Sequence, residues 1–195
     1  MALAVTEENN LNSRSKIHSM KLALLIGCAS IIMMFAGLTS AYIVRRAGGN
    51  WLEFRLPNIF FINTVVMLLS SIAIHSAYIF FKRGNETLYK GLLGVSFILG
   101  LAFVVLQYKG WLDLTEIGVE LTGNPAGSFI YVISGIHAAH VLGGLAAILI
   151  AMIQAFALKY KVTKRRKLRF ELTLIYWHFV DFLWIYLLVF FLSQQ

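Results

Sequence analysis

Five long apolar stretches, separated by short polar segments, dominate the pattern along the 195-residue chain. They cover residues 22–44, 58–81, 88–108, 127–158 and 170–192. A helix needs about 20 predominantly apolar residues to cross the hydrocarbon core of a bilayer, and each stretch meets that length. The pattern therefore predicts an all-α membrane protein, a bundle of five transmembrane helices. We expect one transmembrane domain over residues 21–195, after a polar tail over residues 1–20.

Turn-forming and basic residues mark the ends of these stretches. Pro57 precedes the second span and Gly84 follows it, the usual order of proline and glycine around a helix. The sequence Lys109-Gly110-Trp111 follows the third apolar stretch and is interpreted as lying beyond the end of that span. The fourth stretch has 32 residues, more than the bilayer needs, so we expect that helix to tilt or protrude.

The basic residues fall mainly on alternate sides of the five spans. Of the 17 Lys and Arg residues, 13 lie in the N-terminal tail and the second and fourth polar segments, or just inside the adjoining spans. Because cytoplasmic segments are enriched in Lys and Arg, the N-terminus is predicted to be cytoplasmic and the C-terminus periplasmic. The fourth segment contains Lys164, Arg165, Arg166 and Lys167, which are candidates for contact with lipid head groups or a partner subunit.

Composition agrees with a membrane protein and narrows the classes of function. Hydrophobic residues make up 59% of the chain and charged residues 13%, with a mean hydropathy of +0.76. The net charge of +8 is accounted for by the basic segments beside the spans, so nucleic acid is not an expected partner. The single cysteine excludes an intrachain disulfide.

Few ionisable residues lie inside the spans, and these are the candidates for function. They are His75, His137, His140, His178 and Asp181. Two pairs, His137 with His140 and His178 with Asp181, are spaced i, i+3 and so share a helix face. We expect these four residues to form a polar clasp, hydrogen-bonded between the fourth and fifth helices. The alternatives are a metal or haem site and a proton path, for which one carboxylate is too few.

Several motifs resemble subunit III of the haem-copper oxidases, the cytochrome c oxidase subunit III family. The last span has Tyr176-Trp177-His178-Phe179-Val180-Asp181 followed by Trp184, which is similar to the family's last helix. Further matches are Phe35-Ala36-Gly37, Asn63-Thr64, Leu68-Leu69-Ser70-Ser71, Gly100 with Phe103 and Gln107, and Ser134 to Gly144 with its paired histidines. The residues that identify the family here are Asn63, Gln107, Tyr176, Trp177 and Trp184.

The chain departs from the long members of that family in three ways. Those members have seven helices, and this chain resembles the last five, as bacterial short forms do. Where many of them carry a glutamate in the first matching helix, the position here is Ile31. Where a glutamate often follows the position of Gln107, the sequence continues with Tyr108 and Lys109. A proton-linked role for the glutamate of the first matching helix is therefore not expected here, where the position is Ile31.

The resemblance implies a subunit of the bacterial inner membrane that has no catalytic, cofactor-binding or metal-binding residues of its own. Haems and copper are expected on partner subunits, foremost the catalytic subunit I. Bound phospholipid and other oxidase subunits are further expected partners, in an enzyme that reduces oxygen and translocates protons. Two alternatives stay open: a subunit of a quinol oxidase of the same superfamily, and a free-standing haem- or metal-binding membrane protein using His137, His140 and His178.

Overall fold

The structure is a computed structural model that describes residues 2–157 and 160–194, with backbone alone for residues 2–18. Within these residues the regular structure consists of five α-helices. The helices are α1 (Ala2–Ala47), α2 (Ile59–Arg83), α3 (Glu86–Glu116), α4 (Pro125–Ala157) and α5 (Lys164–Ser193). Each contains a segment long and apolar enough to cross a membrane. The predicted bundle of five transmembrane helices is confirmed. The predicted end of the fourth span at residue 158 and the basic residue Lys159 lie outside the described residues.

Helix α5 is at the centre of the bundle. It packs against α1, α2 and α4, whereas α3 packs between α2 and α4, and α1 contacts only α4 and α5 within the described residues. Half of the most apolar segment of α5 is buried, against 17% for α1. The last helix is therefore the element around which the others assemble, and α1 is the most peripheral.

Short connections with local caps join the helices on one side of the bundle. Gly84 adopts a positive φ of 84° and its N–H bonds the carbonyl of Phe80, which ends α2 as the sequence predicts. The next residue, Asn85, accepts a hydrogen bond from the N–H of Leu88 and so begins α3. Because only these two residues separate the helices, α2 and α3 form a tight antiparallel hairpin.

Helix α3 continues eight residues past its predicted end at Tyr108, so the interpretation of Lys109-Gly110-Trp111 as a boundary was wrong. A side chain at Gly110 would lie 3.1 Å from the ring of Phe60, which shows that this glycine lets α3 approach α2 closely. The indole N–H of Trp111 donates to Ser134 Oγ at 2.9 Å. These contacts with neighbouring helices stabilise the extension, which ends at Glu116, two residues before Gly118 with its φ of +81°.

Helix α5 also begins earlier than predicted, within the basic segment. Helix α5 begins at Lys164 rather than near residue 170, and Thr163 caps it by accepting the N–H of Arg166 at 3.3 Å. Lys167 lies within 4.0 Å of Glu171 one turn later. Much of the positive charge is therefore fixed on the first turns of the central helix.

Candidate functional site

Tyr176 and Trp177 of α5 lie against glycines of the neighbouring helices. A Cβ atom at Gly144 of α4 would lie 2.8 Å from the Trp177 ring, and one at Gly100 of α3 would also lie 2.8 Å from it. The Tyr176 hydroxyl donates to the carbonyl of His140 at 3.1 Å. The absence of side chains at these glycines creates the space that the fully buried indole fills. The aromatic pair of the family motif thus locks α5 against α3 and α4.

His137 is completely buried and surrounded by aromatic rings. Its imidazole stacks on Trp184 with ring centroids 5.1 Å apart, and Phe35 and Phe103 contact it edge-on. Among the described side chains, neither ring nitrogen has a hydrogen-bond partner. The imidazole therefore fills space between aromatic rings instead of joining a polar pair.

His140 is half-buried and bonds within its own helix. Its Nδ1 lies 2.7 Å from the carbonyl oxygen of Ile136, and its ring packs against Phe35 at 5.9 Å. Although His137 and His140 are three residues apart, no hydrogen bond joins either of them to His178 or Asp181 within the described structure. The predicted clasp between α4 and α5 is therefore wrong in its partners.

The polar contacts of His178 are with α2. Its Nδ1 lies 2.9 Å from Ser71 Oγ, and its Nε2 lies 3.3 Å from Nδ1 of His75. Ser71 also interacts with the carboxyl group of Asp181, which is buried. Hydrogen bonds thus join His178 of α5 to Ser71 and His75 of α2, with the Asp181 carboxyl group beside Ser71. His75 was a candidate from sequence, but neither it nor Ser71 was assigned to the polar clasp, although their i, i+4 spacing in the middle of a span placed them on one face.

Two further polar contacts tie the second, third and fifth helices together. The buried side chains of Asn63 and Gln107 share a hydrogen bond of 3.1 Å between α2 and α3. The indole N–H of Trp184 donates to Thr64 Oγ1 at 2.9 Å, between α5 and α2. Three of the family-identifying residues thus occupy one region where these helices meet.

The imidazoles of the site pack on, or bond to, other groups of the protein. Within the described residues no group of three or more His, Cys, Asp and Glu side chains is arranged to hold a metal ion. His137 packs against aromatic rings, and His178 uses both nitrogens in bonds to protein. These polar contacts join neighbouring helices.

A cavity of about 370 Å³ lies at the basic end of the bundle. Aromatic side chains of α2, α3 and α5 line it together with the guanidinium groups of Arg166 and Arg169. The Tyr160 hydroxyl donates to the Phe81 carbonyl at its edge, and burial raises the pKa of Tyr160, so this phenol stays neutral. Of the four basic residues proposed for lipid or partner contact, only Arg166 lines this cavity.

Comparison with known proteins assigns the family. Residues 15–193 match the sequence model of cytochrome c oxidase subunit III. The chain is 30% identical over 166 residues to "Cytochrome c oxidase subunit 3" of Corynebacterium diphtheriae, covering 81% of this chain and 80% of that protein. It is 29% identical over 183 residues to "Probable cytochrome c oxidase subunit 3" of Mycobacterium bovis, covering 88% and 89%. With the rat protein the match is 30% over 66% of this chain and 47% of that protein. The chain is a multi-pass membrane protein that belongs to the cytochrome c oxidase subunit III family.

Proposed function

We propose that this chain is the non-catalytic subunit III of a bacterial haem-copper terminal oxidase, packed beside the catalytic subunit I. The observation that carries the proposal is the family match over residues 15–193, joined to near full-length similarity to bacterial relatives. Haems and copper are then bound by partner subunits. This chain stabilises the catalytic subunit and supports oxygen reduction coupled to proton translocation.

The polar interior supports a stabilising role instead of a chemical one. Its polar side chains form hydrogen bonds between helices, such as Asn63 with Gln107 and Trp184 with Thr64, and each of these bonds joins two helices. Interhelical hydrogen bonds in membranes contribute about 0.6 kcal/mol each on average. Several such bonds, together with the packing of Trp177 against Gly100 and Gly144, give a rigid surface on which a partner can assemble.

We further propose the inner membrane of a bacterium as the location, with the basic end of the bundle in the cytoplasm. The asymmetry of Lys and Arg supports this orientation, and bacterial relatives support the location. Phospholipids are proposed partners at the cytoplasmic end. The cavity with Arg166 and Arg169 combines cationic groups with an aromatic lining, which suits an anionic head group above acyl chains.

Cytochrome c is the proposed electron donor of the assembly. The curated bacterial relatives carry the name of cytochrome c oxidase subunit 3. A quinol oxidase would share the same helical subunit, so the donor is a property of the partner subunits and must be measured on the assembly.

The test is purification through an affinity tag on this chain in a mild detergent. We expect haem-containing polypeptides to co-purify and the preparation to oxidise reduced cytochrome c with consumption of oxygen. Oxidation of quinol with no activity toward cytochrome c would contradict the proposed donor. Recovery of the chain without any haem-containing polypeptide, from membranes that contain active oxidase, would contradict the proposed function itself.

A further inference from the structure

One face of α2 is apolar and exposed over most of its length. Ile62, Val65, Leu69 and Ile72 follow each other at helical spacing, with exposed fractions of 56%, 56%, 49% and 62%. The next position on this face, three residues after Ile72, is His75, which is also exposed. A polar imidazole thus interrupts a surface that otherwise suits contact with acyl chains.

His75 lies at a depth where the lipid cannot satisfy it. It is four residues from the midpoint of α2 (Ile59–Arg83), which is about 6 Å at the helical rise of 1.5 Å per residue. The hydrocarbon core extends about 15 Å to either side of the bilayer centre. Acyl chains carry no hydrogen-bonding groups, and ionisable residues in membrane spans almost always face protein or a water-filled cavity.

The row of hydrogen bonds behind His75 makes it the outer end of a polar path. Asp181 interacts with Ser71, Ser71 with Nδ1 of His178, and Nε2 of His178 with Nδ1 of His75. This last bond occupies one imidazole nitrogen of His75 and leaves Nε2 for a further bond. The ring is held in place by protein on its inner side and is open on its outer side.

Helices α1 and α2 both lie on α5, and we call the surface of α5 that runs between them, beside His75, the groove. Helices α1 and α2 do not contact each other in the described structure, and both pack against α5. At one end, Lys21 of α1 and Tyr78 of α2 both bond the Glu171 carboxylate of α5. The stretch of α5 that continues from this point exposes Ile175 and Phe182, with His178 between them. The groove is therefore apolar along its length, with two imidazoles near its middle.

We propose that a transmembrane helix of another subunit lies in this groove and forms a hydrogen bond with His75 through a polar side chain at mid-membrane depth. The inference rests on the proposed function and identifies the surface by which the subunit meets one partner. Lipid alone fits the apolar parts of the groove and leaves His75 without a partner. A helix with one serine, threonine, tyrosine, asparagine or glutamine at that depth fits both parts.

The test places a photo-crosslinking amino acid at Ile72, one turn from His75, in the assembly within native membranes. Ile98 of α3 provides the matched control because it is 65% exposed, compared with 62% for Ile72, and lies on a helix that does not line the groove. We expect irradiation at Ile72 to give a discrete adduct with a different membrane-spanning polypeptide and irradiation at Ile98 to give less of that adduct. Adducts with lipid only, or with a second copy of this chain, at Ile72 would overturn the proposal.

Two substitutions of His75 separate the hydrogen bond from the shape of the groove. His75→Gln keeps a polar group near the position of Nε2, whereas His75→Leu keeps the bulk without it. We expect the adduct at Ile72 to fall about threefold in His75→Leu, the effect of one interhelical hydrogen bond, and to stay near its original level in His75→Gln. Equal yields in both variants would show that the imidazole does not bind the partner.

The outcome is distinguishable from failure of the proposed function. If the chain co-purifies with haem-containing polypeptides but the groove reacts with lipid alone, the inference is wrong and the proposed function stands. If the chain assembles with no oxidase polypeptide but its groove still reacts with a foreign helix, the proposed function is wrong and the groove remains a docking surface.

Discussion

Replacement of Gly100 by alanine tests the packing that holds the central helix. The added Cβ would lie 2.7 Å from Cδ2 of Leu145 and 2.8 Å from the ring of Trp177. Both distances are below normal van der Waals contact. The Trp177 ring is fully buried, so it cannot move into open space, and the backbones of α3 and α5 must separate instead.

The expected cost follows from two opposed effects. Insertion of extra methyl groups in a well-packed interior typically costs about 1–3 kcal/mol, and replacement of a helical glycine by alanine returns about 0.5–1 kcal/mol. Gly100→Ala is therefore expected to destabilise the protein by about 1 kcal/mol, within a range of about 0–2.5 kcal/mol. Gly94 is on the same helix, and a Cβ atom at that position would meet nothing within 4 Å outside the backbone of its own helix. Gly94→Ala therefore carries only the favourable effect.

The assay is thermal unfolding of the purified assembly in detergent. Unfolding is monitored by size-exclusion chromatography, as the loss of this subunit from the intact complex. We expect the midpoint to fall for Gly100→Ala and to stay constant or rise for Gly94→Ala. Trp177→Phe in the Gly100→Ala background should recover part of the loss, because the smaller ring no longer overlaps the methyl group. Equal midpoints of thermal unfolding for the two glycine variants would refute the role assigned to the packing of Trp177 against Gly100.

Three further predictions concern buried polar groups; the first two use the same thermal assay, and the third uses the yield of assembled oxidase. Asn63→Leu should destabilise by about 1–3 kcal/mol because it leaves the Gln107 amide without its partner, and addition of Gln107→Leu should recover part of that loss; a purely additive loss would contradict the pairing. Trp184→Phe should cost about 1–2 kcal/mol through the lost bond to Thr64 and the unfilled volume, and an unchanged midpoint would contradict this. Asp181→Asn should leave the yield of assembled oxidase at or above the original level, because it removes a buried charge. In the described structure one oxygen of this carboxylate has no hydrogen-bond partner. Loss of assembly would show that the charge is required.

The number and type of helices could be predicted from sequence because lipid imposes a simple rule. Every span must be long, apolar and helical, and that pattern can be counted without knowledge of packing. The end of α3 could not be predicted in this way. Gly110 looks like a helix terminator locally, and only its contact with Phe60 and the bond from Trp111 to Ser134 explain why the helix continues.

The composition of the polar interior was predictable, but its pairing was not. Spacing along one helix showed which residues share a face, and so it correctly grouped His178 with Asp181. It could not show which neighbouring helix that face meets. Helix α5 packs against α1, α2 and α4, and its Trp177 also reaches α3. His178 turned out to face Ser71 and His75 of α2 instead of the histidines of α4.

The central claim, a cofactor-free subunit in an oxidase assembly, is tested most directly by the distribution of haem and copper among its polypeptides. The assembly would be purified through a tag on this chain, the subunits separated under mild conditions, and haem and copper measured on each. We predict that all of the haem and copper stays with other polypeptides and that none remains with this chain. Stoichiometric haem or copper on the separated chain, lost in a His137→Ala or His178→Ala variant, would contradict the account.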